Sequence, residues 1–270
     1  MNPRTHDGSP TLKLQFNTLR KARIEARERF MAGRSAEKQY AIRLRGLANH
    51  VGEIIRGVAP DGIVADVSEL MAMLNHYADL LHPWANSVAG RMIADVSRRD
   101  AAAWIKHGRL IGQSLREEIE NAPTGQAMRT SLAEQVQYIT SIPREAAERL
   151  HTLTIEGISK GTRAREIAAE IMRSGEVSKS SAMRLARTGV SSTATLLTKA
   201  RAEHIGSEGY IWRTSRDADV RKSHREMEGK FVPWKSPPTL DGFTAHVGQF
   251  ANCRCFPEPQ IPERFGRASA

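Results

Sequence analysis

The chain has 270 residues, enough for one large domain or two modest ones. A hydrophobic content of 40% with only 6% aromatics suits a core of Leu, Ala, Val and Met on helices, and a net charge of +10 favours a polyanionic partner. Two cysteines exclude a disulfide-stapled secreted scaffold, and neither a membrane span nor the apolar stretch of a secretion signal is visible, so the expectation is a soluble protein made in the cytoplasm with no membrane contact.

The first sixty residues carry twelve Lys and Arg against five acids. The basic character therefore belongs to the N-terminal part. Leu12, Phe16, Leu19, Ala26 and Phe30 fall at helical steps, as do Ile42, Leu47, Val51, Ile54 and Val58. The next helix is expected over Asp61–Leu81, followed by a helical pattern from Trp84 to Ile111. Thr130–Tyr138 and Arg144–Leu153 read as two shorter helices on either side of Pro143. Residues 159–163 read as a turn opening a helix through Ile171, with Ser174-Gly175 ending it and a long helix following from Ser180 to Ile205.

Beyond Gly209 the period changes. Tyr210-Ile211-Trp212-Arg213-Thr214 is aromatic and β-branched, a strand by composition, and Phe231-Val232 reads as a second short one. Between them Ser215 is a suitable N-cap for a helix stopped by Gly229. Six of the twelve prolines lie from Pro233 onward, so the end of the chain is not mainly helical. The fold class expected is mainly α: a basic helical region over 1–150, a small α+β domain over 151–258 ending in a Cys-containing loop, and a tail over 259–270.

A helix from Ser215 would put Asp217, Arg221 and His224 on one face, either as a surface ion pair beside a histidine or as a polar cluster aimed at the Cys-containing loop. Asn252 precedes the cysteines, Arg254 lies between them, and the two complete this structural cluster. Cys253 and Cys255, with His224 and His246, contain the donors of a tetrahedral zinc site. Cys-x-Cys is a tighter spacing than the usual structural grip, which leaves two buried free thiols or a strained local disulfide as competing readings. The cofactor expected is accordingly none, or one structural zinc. His224-Arg225-Glu226 also matches the His-x-Glu of zinc nucleobase deaminases, but their Pro-Cys-x-x-Cys is replaced by Asn252-Cys253-Arg254-Cys255.

Lys13, Arg20, Arg27 and Arg34 recur every seven residues, and Lys21 and Arg23 thicken the face they form. Either this is a solvated face or it contacts the phosphates of double-stranded DNA without sequence preference. No Gly-rich phosphate loop, Ser-His-Asp set or nucleophile elbow appears, so no enzyme activity and no small-molecule substrate are expected.

The order Arg184-x-x-Arg187-Thr188, Trp212-x-Thr214, Asp217, Val220-Arg221, His224, Gly229 and Asn252-Cys253-Arg254-Cys255 resembles the phage Mu protein F-like family of head-morphogenesis or minor head proteins. Family members commonly place an acidic residue after the Arg-Thr pair, where this chain has Gly189. The resemblance implies a minor virion component made in the bacterial cytoplasm and incorporated in the head with the portal, with the portal protein, the major capsid or scaffold protein and DNA as partners. Two alternatives from other classes are a zinc-dependent enzyme acting on nucleic acid through His224, Glu226 and the cysteines, and a DNA-binding accessory protein outside the virion.

Overall fold

The computed structural model describes residues 10–58, 66–111, 121–160, 162 and 164–265, with side chains from residue 33 onward except at 107–111, 158, 164, 165 and 263. Among these residues five helices come first: α1 (Pro10–Val58), α2 (Val67–Leu80), α3 (His82–Ile111), α4 (Thr124–Ser159) and α5 (Ala164–His204). A small C-terminal part follows, with β1 (Gly209–Arg213), the one-turn α6 (Lys222–Arg225), β2 (Phe231–Pro233), β3 (Thr239–Leu240), β4 (Phe243–Thr244), β5 (Phe256–Pro259) and a 3-10 turn over Glu263–Phe265. The mainly helical class with a small α+β end is what the sequence predicts.

Apolar periodicity explains the bundle. Leu44, Leu47, Val51 and Ile55 of α1 fall three and four apart and are buried against Leu70 and Leu74 of α2, Val88, Met92 and Val96 of α3, and Ile139, Ile142 and Leu150 of α4. Each fully buried side chain of this size contributes about 1.5–3 kcal/mol. α5 packs most extensively on α1 and α4. Between α3 and α5, Arg201 pairs with Asp100 in the interior, and the Thr198 hydroxyl donates to the same carboxylate at 2.9 Å.

Four expectations are corrected. α2 begins at Val67 rather than Asp61, because Asp66 caps it by accepting the Glu69 N–H at 3.0 Å. The two short helices around Pro143 are one, α4. Proline removes one helical donor, but the flanking Thr140 and Ser141 hydroxyls bond the carbonyls of Val136, Gln137 and Tyr138, and packing on α2, α3 and α5 holds the rest. α5 likewise runs unbroken through Ser174-Gly175. Gly175 is a contact residue there, since a Cβ on it would lie 3.1 Å from the Gly52 Cα of α1.

The fourth correction lies nearer the site: no helix starts at Ser215. Arg216 has φ +60°, the Asp217 carboxylate accepts the Asp219 N–H at 3.1 Å in an Asx turn, and helix appears only at Lys222. Glu228 takes the Thr214 N–H and hydroxyl at 2.6 and 2.8 Å, tying the strand exit to the chain before β2. Gly229, read as a helix stop, has φ +83° and donates its N–H to Trp212, opening the β1–β2 pairing.

The sheet has the order β2-β1-β5, all antiparallel, with Tyr210 opposite Val232 and Pro259. Tyr210 and Trp212 alternate onto its buried face and form a second core with Trp234, Val247, Phe250, Cys253 and Cys255, joined by Trp104 of α3, Ala202 of α5 and Ile205 just past its end. β5 also leans on α1 and α5, so the small part is seated on the bundle. Residue 150, where the sequence changes character, is inside α4.

Candidate functional site

Three hydroxyls on one face of α5 hold the Cys-containing loop. Thr188 accepts the Asn252 N–H at 3.0 Å, Ser191 donates to the Cys253 carbonyl at 3.4 Å, and Thr195 donates to the Val247 carbonyl at 2.8 Å. Asn252 turns the chain with φ +56°, a conformation its short polar side chain tolerates. The turn drops both cysteines inward beside α6, where His224 is buried.

His224 Nδ1 lies 3.5 Å from Cys253 Sγ and 3.6 Å from Cys255 Sγ, and the three ligand atoms are within 4.8 Å of one another. All three residues are buried, and both thiols are free. The imidazole stands edge-on between Trp212 and Phe250, with ring centroids 5.3 and 4.9 Å away, and its Nε2 has no hydrogen-bond partner among the described residues. Cys255 donates to Cys253, and with His224 and the backbone N–H groups of Cys255 and Gly248 this holds Cys253 well below the ordinary thiol range against the cost of burial. The same contact, with burial, raises Cys255. This group could hold a metal ion.

His246 stands apart from it. Its Nδ1 faces the Tyr210 hydroxyl at 3.3 Å, and its Nε2 faces the Trp234 carbonyl at 3.0 Å and Lys199 Nζ at 3.4 Å. Burial first, then the Lys199 charge, push it down to about 4 despite the Trp234 carbonyl. The four-donor set expected from the sequence therefore contracts to three, and His246 joins a separate network.

A cavity of about 260 Å³ adjoins the group, lined by His224, both cysteines, Asn252, Asp219, Val220, Arg187, Arg221 and Arg254. Arg254 pairs with Asp219 and, at 3.0 Å, with Asp217, while Arg221 donates to the Ala251 carbonyl at 2.6 Å. Asp217, Arg221, His224, Asn252 and Arg254 are thus gathered around one feature by loop turns rather than by a helix face. Arg187 bonds Glu37 of α1 at 3.2 Å. Its place at the cavity, and the part of Thr188, were not assigned from the sequence; the quoted Arg-x-x-Arg-Thr order was the available signal. Glu226, the acid–base group that the deaminase reading needs, is exposed and does not line the cavity.

Residues 148–257 match the phage Mu protein F-like family. The Mu F-like region thus takes in the last third of α4, all of α5, β1, β2 and the Cys-containing loop up to the start of β5. A Haemophilus influenzae protein described as uncharacterized is 31% identical over 152 residues, 56% of this chain and 33% of the relative, so the match spans a third of that protein's length. No solved structure gives a significant match.

Gly189 has a steric reason for its size. A Cβ there would meet the Gln135 side chain of α4, whose Oε1 accepts from the Tyr40 hydroxyl of α1 at 3.2 Å. Of the basic residues singled out in α1, Lys13, Arg20, Lys21, Arg23 and Arg27 have side chains outside the described residues; Arg34 is exposed. No helix among the described residues is long and apolar enough to cross a membrane.

Proposed function

We propose that the chain is a phage minor head protein, made in the bacterial cytoplasm and incorporated in the head through contacts with the portal and with the major capsid or scaffold protein. The observation that carries this reading is the Mu F-like match over residues 148–257. The net charge of +10 supports proximity to packaged DNA. The excess of bases before residue 61 makes α1 the sequence-independent DNA contact in this proposal. In the same reading the His224, Cys253 and Cys255 group holds one zinc ion, the cofactor its donors suit, and the protein performs no chemical step.

Mass spectrometry of purified particles and of assembly intermediates tests the assignment. The protein should be present at low copy, and heads assembled without it should form but fail in DNA packaging, retention or delivery. Its absence from both particles and intermediates would overturn the proposal.

A further inference from the structure

We infer that His224, Cys253 and Cys255 form a three-ligand zinc centre whose fourth coordination position faces the arginine-lined cavity and takes an anionic oxygen ligand from outside the chain. This rests on the zinc assignment above and is independent of the head assignment.

The distances fit a metal. With Zn–S of ~2.3 Å and Zn–N of ~2.0–2.1 Å, a tetrahedral ion holds sulfur and nitrogen roughly 3.6 Å apart. The two sulfur–nitrogen separations are 3.5 and 3.6 Å. Thiolates and an imidazole are soft and borderline donors, which select zinc over magnesium or calcium. On loading, the ion displaces the remaining thiol protons to solvent, and the two thiolates offset its double charge. His224 binds as neutral imidazole through Nδ1 and keeps its proton on Nε2.

The fourth position is not supplied by a neighbour among the described residues. The group holds three His, Cys, Asp or Glu side chains. His246 is engaged with Tyr210, Trp234 and Lys199; Asp217 and Asp219 pair with Arg254; Glu226 is exposed. A structural zinc site closes with four protein ligands, whereas three ligands beside a cavity leave one position open. All three line the same cavity, and its charged lining is Arg187, Arg221 and Arg254 against Asp219. A neutral dithiolate–zinc unit at the edge of that lining favours an anion as the fourth ligand. Two sources carry this chemistry: a carboxylate of a partner protein and a phosphate oxygen.

The full chain is purified under reducing, oxygen-free conditions, loaded with zinc and desalted. Elemental analysis should find about one zinc per chain. The double variant Cys253→Ser/Cys255→Ser and the single variant His224→Gln should lose it, while His246→Gln should keep it. Where a variant fails to fold, alkylation of the unaltered chain decides: zinc should slow modification of both thiols, and a chelator should restore it. Cobalt then replaces zinc, and acetate or inorganic phosphate is titrated against the ligand-field bands. A saturable shift is expected. Response to acetate favours a carboxylate source and response to phosphate a phosphate source. Arg187→Gln or Arg221→Gln should weaken the responding anion about tenfold. Absence of bound metal and of thiol protection overturns the zinc assignment and this inference together. One metal per chain with bands indifferent to both anions overturns the open position alone. Metal retained by folded His224→Gln, or lost from folded His246→Gln, overturns the ligand set.

Discussion

Thr188 and Asn252 meet where the longest stretch of the Mu F-like region joins its Cys-containing loop, the threonine hydroxyl accepting the Asn252 N–H at 3.0 Å. Ser191 and Thr195, three and seven residues further along α5, hold the Cys253 and Val247 carbonyls. The loop has little regular structure of its own, so these side-chain bonds satisfy backbone groups that a sheet would otherwise pair. Thr188→Val keeps the branched shape and removes the acceptor. It should cost about 1–2 kcal/mol. Hydrogen exchange of residues 249–255 should accelerate more than that of the bundle helices, and unchanged exchange there would remove Thr188 from this role.

Gly175 makes a different kind of contact. Its Cα-side surface faces Gly52, and a Cβ would come within 3.1 Å of the neighbouring backbone, so α1 and α5 pack backbone against backbone there. Gly175→Val must push two long helices apart, at a cost of about 1–3 kcal/mol. Gly175→Ala should cost less, because the required shift is a few tenths of an ångström and a helical alanine recovers propensity. Thermal or urea midpoints of the two variants check the order; equal stability of both with the parent would mean that the helices can separate freely.

Much of this architecture was legible in the residues. Leu44, Leu47, Val51 and Ile55 mark a buried helical stripe whatever the tertiary setting, and the alternation of Tyr210 and Trp212 marks a strand with one buried face. Pro143 and Ser174-Gly175 misled because local breaking signals were overridden by packing, which no local pattern encodes. The Ser215 N-cap failed for the opposite reason: Glu228, far along the chain, captured the Thr214 backbone and hydroxyl. Asp241-Gly242, both at positive φ between β3 and β4, is a two-residue hairpin signal written in the sequence itself. At the Cys/His group, nearness of His224 to the cysteines followed from residue types, but the diversion of His246 to Tyr210 and Trp234 depends on how the sheet sits on α5.

That diverted histidine predicts a pH dependence. Buried beside Lys199 and Tyr210, with the Trp234 carbonyl on its Nε2, His246 titrates near 4 in the folded protein against an ordinary value of 6.5. Above 6.5 it is neutral in both states and its contribution is complete. As pH falls from 6.5 towards 4, the unfolded chain takes up a proton that the folded chain refuses, so stability declines, by on the order of 1–2 kcal/mol for a partly screened site. Urea midpoints of the parent and of His246→Gln across this window measure it. The variant should show a shallower decline, and parallel curves would assign the dependence to other groups.

The last prediction concerns DNA. α1 is one helix across Lys13, Arg20, Arg27 and Arg34, and a seven-residue step on an α-helix drifts by only ~20°, so the four share one side of it. Arg34, the fourth of the series, is exposed. If all four meet phosphates, binding to duplex DNA should weaken with salt at a log–log slope near about −3.6, from ~0.9 per phosphate. No base-edge contact enters this argument, so unrelated duplexes of equal length should bind alike. Replacing the four by Gln should weaken binding to every duplex equally and flatten the slope towards zero. A parent that does not bind at low salt, or a variant that binds as the parent does with the same slope, would make this side of α1 a solvated surface and move the DNA contact elsewhere on the chain.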